Sequence, residues 1–253
     1  MSLGSMLLNH MERLVGAQSV VDIRDIYFKA IGDYGYPHVV YAASYQSNFP
    51  AAVIREEAQI YCNLPESFGQ ELEKSFQFSS LPWVDWARHN QGNIRLSKLT
   101  AELRDRPDIV KAYGIAQRHG LGAARLISLR CRVARAEGVV AICPAMSTST
   151  DAEELLWARV RREISTLTYV AHMRLATIAG SPSGSRLTPR QREVLEWTSA
   201  GKTVAEVATI LGLTPATVEK HLRLARDALD AGSTAHAILK AHITHQIFQQ
   251  NSA

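Results

Sequence analysis

The chain has 253 residues, of which 46% are hydrophobic and 21% charged, with a formal net charge of +4 and a pI near 9.0. That composition excludes wholesale disorder, the length predicts two unequal domains, and the mild basic excess permits a polyanionic partner without requiring one. No run approaches 18 consecutive apolar residues and the N-terminus lacks the charged-then-apolar plan of a signal peptide, so the expectation is a cytoplasmic protein with no membrane partner.

In chain order, residues 1–6 (MSLGSM) read as an expression leader ahead of a native start at Met6, outside the fold. Helical periodicity predicts a helix over 20–34, and alternation predicts strands over 38–45 and around 60–64. Helices follow over 66–77 and 99–119. RLISLRCRV (125–133) and GVVAIC (138–143) read as adjacent strands joined by a turn at Ala136, Glu137 and Gly138. Residues 151–178 form one long helix, with Leu156, Val160, Ile164, Leu167, Ala171 and Leu175 on a stripe that needs a partner surface. Helices before, between and after the strands predict an α+β fold, in which an α/β/α sandwich surrounds an antiparallel sheet. Trp83, Trp86, Tyr41 and Tyr61 are expected in core packing. Cys62, Cys131 and Cys143 lack CxxC spacing and lie in apolar strand-like runs, which predicts buried reduced thiols and no metal or other cofactor.

Apolar periodicity stops at AGSPSGS (179–185), whose glycine, serine and proline read as a flexible linker. The expected organisation is one domain over 6–178, a linker over 179–186 and a helical domain over 187–253. Within the last, LTPRQREVLEWTSAGKTVAEVATILGLTPATVEKHL (187–222) spells three capped helices. Thr188 with Gln191 and Thr203 with Glu206 have capping-box spacing, Pro189 and Pro215 suit a first helical position, and Gly201 and Gly212 suit left-handed exits. The third helix, to about Asp230, turns Val218, Leu222, Ala225 and Leu229 inward and Thr217, Glu219, Lys220, Arg223 and Arg226 outward. That outward chemistry suits phosphates and base edges.

This segment closely resembles the helix-turn-helix of the LuxR (GerE-type) transcriptional regulators at Leu187-Thr188, Glu193-Val194-Leu195, Gly201-Lys202-Thr203, Glu206-Val207-Ala208, Leu211-Gly212-Leu213 and Lys220-His221-Leu222. The resemblance implies a quorum-sensing type of transcriptional regulator that binds double-stranded DNA, with Lys202, Thr203, Thr214, Thr217, Lys220 and Arg223 at phosphates or bases. Glu219 departs from the family's usual residues, and its carboxylate could accept from cytosine N4. The order of elements before the linker, with Tyr34-Gly35-Tyr36, Asn63-Leu64-Pro65-Glu66-Ser67-Phe68 and Gly120-Leu121-Gly122, resembles more weakly the family's acyl-homoserine-lactone-binding domain.

Ungapped alignment from Asn63 puts Leu64, Phe68, Leu72 and Leu81 where the family carries two tyrosines, a tryptophan and the aspartate that accepts the lactone amide; Leu96 and Ala124 replace a further tryptophan and a pocket glycine. A buried amide without its acceptor costs about 1–3 kcal/mol. Three outcomes stay open for this domain: a more apolar ligand, a pocket filled by side chains in a body that only dimerises, and a lactone held by altered contacts. A four-residue insertion would bring Asp85, beside Trp83 and Trp86, into the acceptor position.

A homodimer is expected, through Ala235, Leu239, Ile243 and Ile247 on a last helix that the helix-turn-helix core would not cover, or through the 156–175 stripe. An alternative is an interaction protein that forms inactive mixed dimers with a related regulator. An enzyme is not expected, because G-x-S-x-G, a phosphate-binding glycine loop and H-E-x-x-H are absent. His242 and His245 read as solvated helix positions, not metal ligands.

Overall fold

The computed structural model describes residues 3–44, 59–76, 81–130, 137–178, 187–244 and 246–248. The chain divides into two compact units, the first carrying the described residues up to Ile178 and the second those from Leu187. The expected linker over 179–186 lies outside the described residues, as do Cys131, Ala136 and His245.

The first unit is built on five antiparallel strands, β1 (His38–Ser44), β2 (Gln59–Cys62), β3 (Asn93–Arg95), β4 (Arg125–Ser128) and β5 (Glu137–Cys143), in the order β2-β1-β5-β4-β3. β1 to β5 and β1 to β2 pair Tyr41 with Val140 and with Tyr61, while Val40 pairs with Ala141 and with Cys62. Because side chains alternate across a strand, Val39, Tyr41, Val140 and Ile142 share one face, and Val40, Ala42, Val139 and Ala141 share the other. Gly138 is required by this pairing, since a Cβ there would stand 2.3 Å from the Ala42 carbonyl oxygen.

Three helices cover the first face: α1 (Leu3–Gly16), α2 (Val20–Asp33) and α7 (Thr150–Ile178), packed on one another. The expected stripe on α7 is buried at Val160, Ile164, Leu167, Ala171 and Leu175. Three polar residues share that inward face. Thr168 bonds the Tyr27 hydroxyl at 2.8 Å, and His172 Nδ1 meets the Tyr41 hydroxyl at 2.7 Å. Glu153 is fully buried and takes Nε and Nη2 of Arg125 on β4 at 2.7 and 2.8 Å, while Tyr36 donates to the same carboxylate at 2.8 Å. The Arg125 guanidinium also lies 4.6 Å from the Trp157 ring centroid. This stripe is therefore consumed within the unit, which corrects the expectation that it serves as a dimer surface. α1 takes in residues 3–6 of the segment read as a leader; Leu3, Gly4 and Ser5 are exposed, and the helix is anchored further along by the buried His10 and Leu14.

On the other face lie α3 (Glu66–Glu73), α4 (Pro82–His89), α5 (Leu96–Glu102) and α6 (Pro107–Arg118). The single helix expected over 99–119 is broken in two by Pro107, which drives Arg106 into extended backbone at φ −97, ψ 107. α4 and β3 were not expected. Tyr41 is buried in the core as expected, and Tyr61, half-buried on the edge strand, stacks on it at 5.9 Å on the α7 side. Trp83 is buried with the α3–α6 layer and Trp86 packs against it. Cys143 is buried as expected, but Cys62 is exposed, because β2 is an edge strand.

The second unit contains α8 (Pro189–Ser199), α9 (Val204–Leu211), α10 (Pro215–Ala228) and α11 (Thr234–Ile243). Val194, Leu195, Val207, Ala208, Val218 and Ala225 fill its core. α11 packs against α8 and α10 and puts Ala237 and Ala241 into that core, with Ile247 beyond it. Ala235 is exposed and Leu239 half-buried. The core thus covers α11 through Ala237 and Ala241, and of the expected seam Ile247 is buried with that core while Ala235 and Leu239 keep solvent exposure.

Candidate functional site

Two places concentrate the sequence-derived site residues. The first is a cavity of about 210 Å³ between the Val40–Ala42 face of the sheet and the α3–α6 layer. Leu64, Phe68, Leu72, Leu81, Leu96 and Ala124 all line it. Local structure explains how. Asn63 accepts a hydrogen bond from the Val39 N–H at 2.7 Å and donates to the Pro37 carbonyl at 2.8 Å, so the chain leaves β2 along β1 and delivers Leu64 to the rim. Phe68 and Leu72, four residues apart, share one face of α3. That helix is held to α6 by Glu71, which receives Arg118 and His119; these bonds keep its carboxyl below the usual carboxylate range. Leu81 is the N-cap residue of α4 and Leu96 opens α5, and both are buried.

Trp83, Leu126 and Val139 extend the wall. Polar side chains are few: among the described lining residues they are His38, Cys62, Glu73 and Cys143, together with the Trp83 indole. Burial pushes the Cys143 thiol up to about 12, so it stays protonated at neutral pH. Glu73 and Cys62 are exposed and stand at the solvent side of the wall. His38, Cys62 and Cys143 were not singled out as site residues from the sequence. The alternation in HVVYAAS was the available signal, because it puts His38 on one face with Val40 and Ala42.

Asp85 is not among the lining residues. It lies on α4 with its carboxylate 3.1 Å from Arg106 Nη1 and 3.6 Å from His89 Nδ1. The shifted alignment, which would use it as an amide acceptor, has no support in this geometry.

The second place is the α9–turn–α10 hairpin of the helical unit. Thr188/Gln191 and Thr203/Glu206 form complete capping boxes, and Gly212 leaves α9 in the left-handed region at φ 63. Thr214 caps α10 by accepting from the Thr217 N–H, and the two hydroxyls lie 2.8 Å apart. α10 buries Val218, Leu222 and Ala225 and exposes Glu219, Lys220 and Arg223. Lys202, Thr203 and Thr214 are exposed as well, and Thr217 is half-buried. Lys202 lies 3.8 Å from Glu206 and Arg223 3.4 Å from Asp227. Such exposed pairs contribute little, of order 0–1 kcal/mol, and yield readily to a phosphate. Lys240 reaches back from α11 to the Leu229 and Asp230 carbonyls at 3.1 and 2.6 Å, securing the end of α10.

A sensor-like cavity and a capped helix-turn-helix on one chain are the combination found in bacterial ligand-responsive regulators. Residues 185–241 match the family described as bacterial regulatory proteins, luxR family, and residues 19–175 match the autoinducer binding domain. The chain belongs to the LuxR family, in the branch that carries an autoinducer binding domain. It is 46% identical to the transcriptional activator BjaR1 of Bradyrhizobium diazoefficiens over 63 residues, 25% of this chain and 26% of that protein. It thus spans about a quarter of the length of that relative. With the transcriptional activator LuxR of Aliivibrio fischeri it shares 23% identity over 201 residues, 79% of each chain. Among solved structures, Escherichia coli SdiA is similar with a TM-score of 0.61 at 20% identity, over 98% of this chain and 100% of that one. SdiA in complex with octanoyl-rac-glycerol gives 0.60 at 19% identity, over 96% of each.

Proposed function

We infer that the protein is a sequence-specific DNA-binding transcriptional regulator of the quorum-sensing type, acting as a homodimer in the cytoplasm by binding and not by catalysis, and sensing a small molecule more apolar than an acyl-homoserine lactone. The division proposed is a sensor over 6–178, a linker over 179–186 and a DNA-binding unit over 187–253. The observation that carries the reading is the cavity itself, whose wall has Leu81 where a lactone amide would need an acceptor. Space argues for a ligand over a filled pocket. An apolar cavity of about 150 Å³ admits benzene, so about 210 Å³ has room for a short hydrocarbon body. The SdiA complex with octanoyl-rac-glycerol, an acyl compound without a lactone, supports the same direction.

On the DNA side, Lys202 and Lys220 are assigned to phosphates, Glu219 and Arg223 to base edges, and Thr203, Thr214 and Thr217 to the helix ends that approach the backbone. Two recognition helices of a dimer would meet half-sites about one helical turn apart. Among the described residues no helix is long and apolar enough to cross a membrane. The test is mass spectrometry of small molecules released from the denatured protein, paired with gel-shift and light scattering on the same preparation. A co-purifying apolar compound and a dimer that retards specific DNA are the expected results. A monomer that binds no DNA, or a released acyl-homoserine lactone, would overturn the reading.

A further inference from the structure

The polar side chains of the cavity are not scattered. Cys143 stands directly opposite His38 in the β1–β5 ladder, and Cys62, paired with Val40, is diagonal to it across β1–β2. In antiparallel sheets such neighbours lie about 5 and 7–8 Å apart, so one imidazole and two thiols form a patch at one end of the sheet face. Ala42, Val139 and Leu126 carry the apolar remainder of that face, and Phe68, Leu81 and Trp83 lie across from it. His38 is half-buried, and no hydrogen-bond or ion-pair partner for its imidazole is found among the described residues. An imidazole that lines an apolar cavity and has no partner among the described residues is a place for a ligand's polar atom.

We propose that the cavity takes an uncharged amphiphile with a single hydrogen-bonding group, which docks on the His38 imidazole while its hydrocarbon body fills the apolar remainder. The inference rests on the cavity being a ligand site, as argued above. Charge sets the ligand class. The one carboxylate in the described wall, Glu73, lies at the exposed side, and among the described residues no lysine or arginine lines the cavity. A carboxylate head would therefore lose its hydration without gaining a counter-charge. A hydroxyl or carbonyl needs only a hydrogen-bond partner, which the imidazole supplies. His38 is then the residue that selects the head group, and the apolar wall selects the length and shape of the body.

The experiment is displacement of the fluorescent probe N-phenyl-1-naphthylamine from the full-length protein by 1-hexanol, 1-chlorohexane and hexanoate, which share a body and differ in the head. 1-Hexanol should displace the probe, and hexanoate should be weaker by roughly tenfold or more. In His38→Leu the ratio of hexanol to chlorohexane affinity should move tenfold to a hundredfold toward the chloride, the loss expected for one buried hydrogen bond. His38→Gln, which keeps a donor and an acceptor, should retain most of the alcohol preference. Should His38→Leu fail to fold, the imidazole nitrogen resonances of the unaltered protein give the answer: hexanol must shift them and chlorohexane must not. Absence of any probe or hexanol binding overturns the cavity reading, and with it this proposal. Binding with an unchanged ratio, or hexanoate tighter than hexanol, overturns the proposal alone.

Discussion

Glu153→Ala removes one partner of the buried ion pair between α7 and β4 and leaves Arg125, only 4% exposed, without its bidentate acceptor. Burial alone would lower the Arg125 pKa, and the Glu153 and Glu154 carboxylates more than reverse that, so the arginine cannot escape by losing its proton. Breaking a buried pair on one side costs about 3–5 kcal/mol. Glu154 Oε2 remains 2.7 Å from Arg125 Nη2, which puts the cost near the lower end, about 3 kcal/mol. A unit of this size loses about 2–4 °C per kcal/mol, so its melting temperature should fall by about 6–12 °C. Scanning calorimetry on the full chain measures it. The triple replacement Tyr36→Phe, Arg125→Met and Glu153→Leu removes every member of the buried cluster together and should recover most of the loss, since apolar substitutes for a buried pair are often near neutral. A Glu153→Ala cost under about 1 kcal/mol, or a triple variant less stable than the single one, would refute the idea that an uncompensated guanidinium is the source of the penalty.

Further predictions concern other parts of the chain. Burial lowers the His172 pKa from an ordinary 6.5 to about 4, so the folded state holds this ring neutral while the unfolded state takes up a proton first as pH falls. The contribution is fully present above about pH 6.5, and about 2 kcal/mol of it should be lost by pH 5; urea titrations should show a shallower loss in His172→Gln, and equal slopes would sink the assignment. Gly138→Ala places a Cβ against the Ala42 carbonyl and should destabilise by at least the 1–3 kcal/mol typical of overpacking, read by the urea midpoint. N-octanoyl homoserine lactone should leave the melting temperature unchanged, whereas a ligand at a hundredfold excess over its dissociation constant would add about 2.7 kcal/mol; a saturable upward shift would count against the apolar reading. In gel-shift titrations, Arg223→Ala should cost about 1–3 kcal/mol and relax one base position, while Lys202→Ala should weaken all sequences alike and flatten the salt dependence. Equal losses on specific and random DNA in both variants would show that these roles are wrongly divided.

The caps of α8, α9 and α10 were legible in the sequence because each is a bond between a side chain and a backbone group within three residues. The break at Pro107 was legible in principle, since proline acts on its immediate predecessor, but the apolar period continued through it. Other features depend on distant partners. Hydrophobic spacing placed the α7 stripe, yet Glu153, Thr168 and His172 sit on that same buried face because Arg125, Tyr27 and Tyr41 meet them from elsewhere in the chain. The strand order is of that kind too, with β1 in the middle between β2 and β5, nearly a hundred residues downstream. Of the cavity wall, the six positions taken from the family alignment come together, while His38, Cys62 and Cys143 become visible only once the ladder registers are known.

The strict alternation along β1 has a consequence for how this protein could change. Val39 and Tyr41 pack on the α7 side, while His38, Val40 and Ala42 line the cavity. A substitution at 38, 40 or 42 can therefore reshape the space offered to a small molecule without disturbing the Tyr41–His172 bond, and the paired positions 139 and 141 on β5 offer the same independence. Selection for a new signal, in nature or in the laboratory, has a short list of sites where specificity can drift while the frame stays fixed.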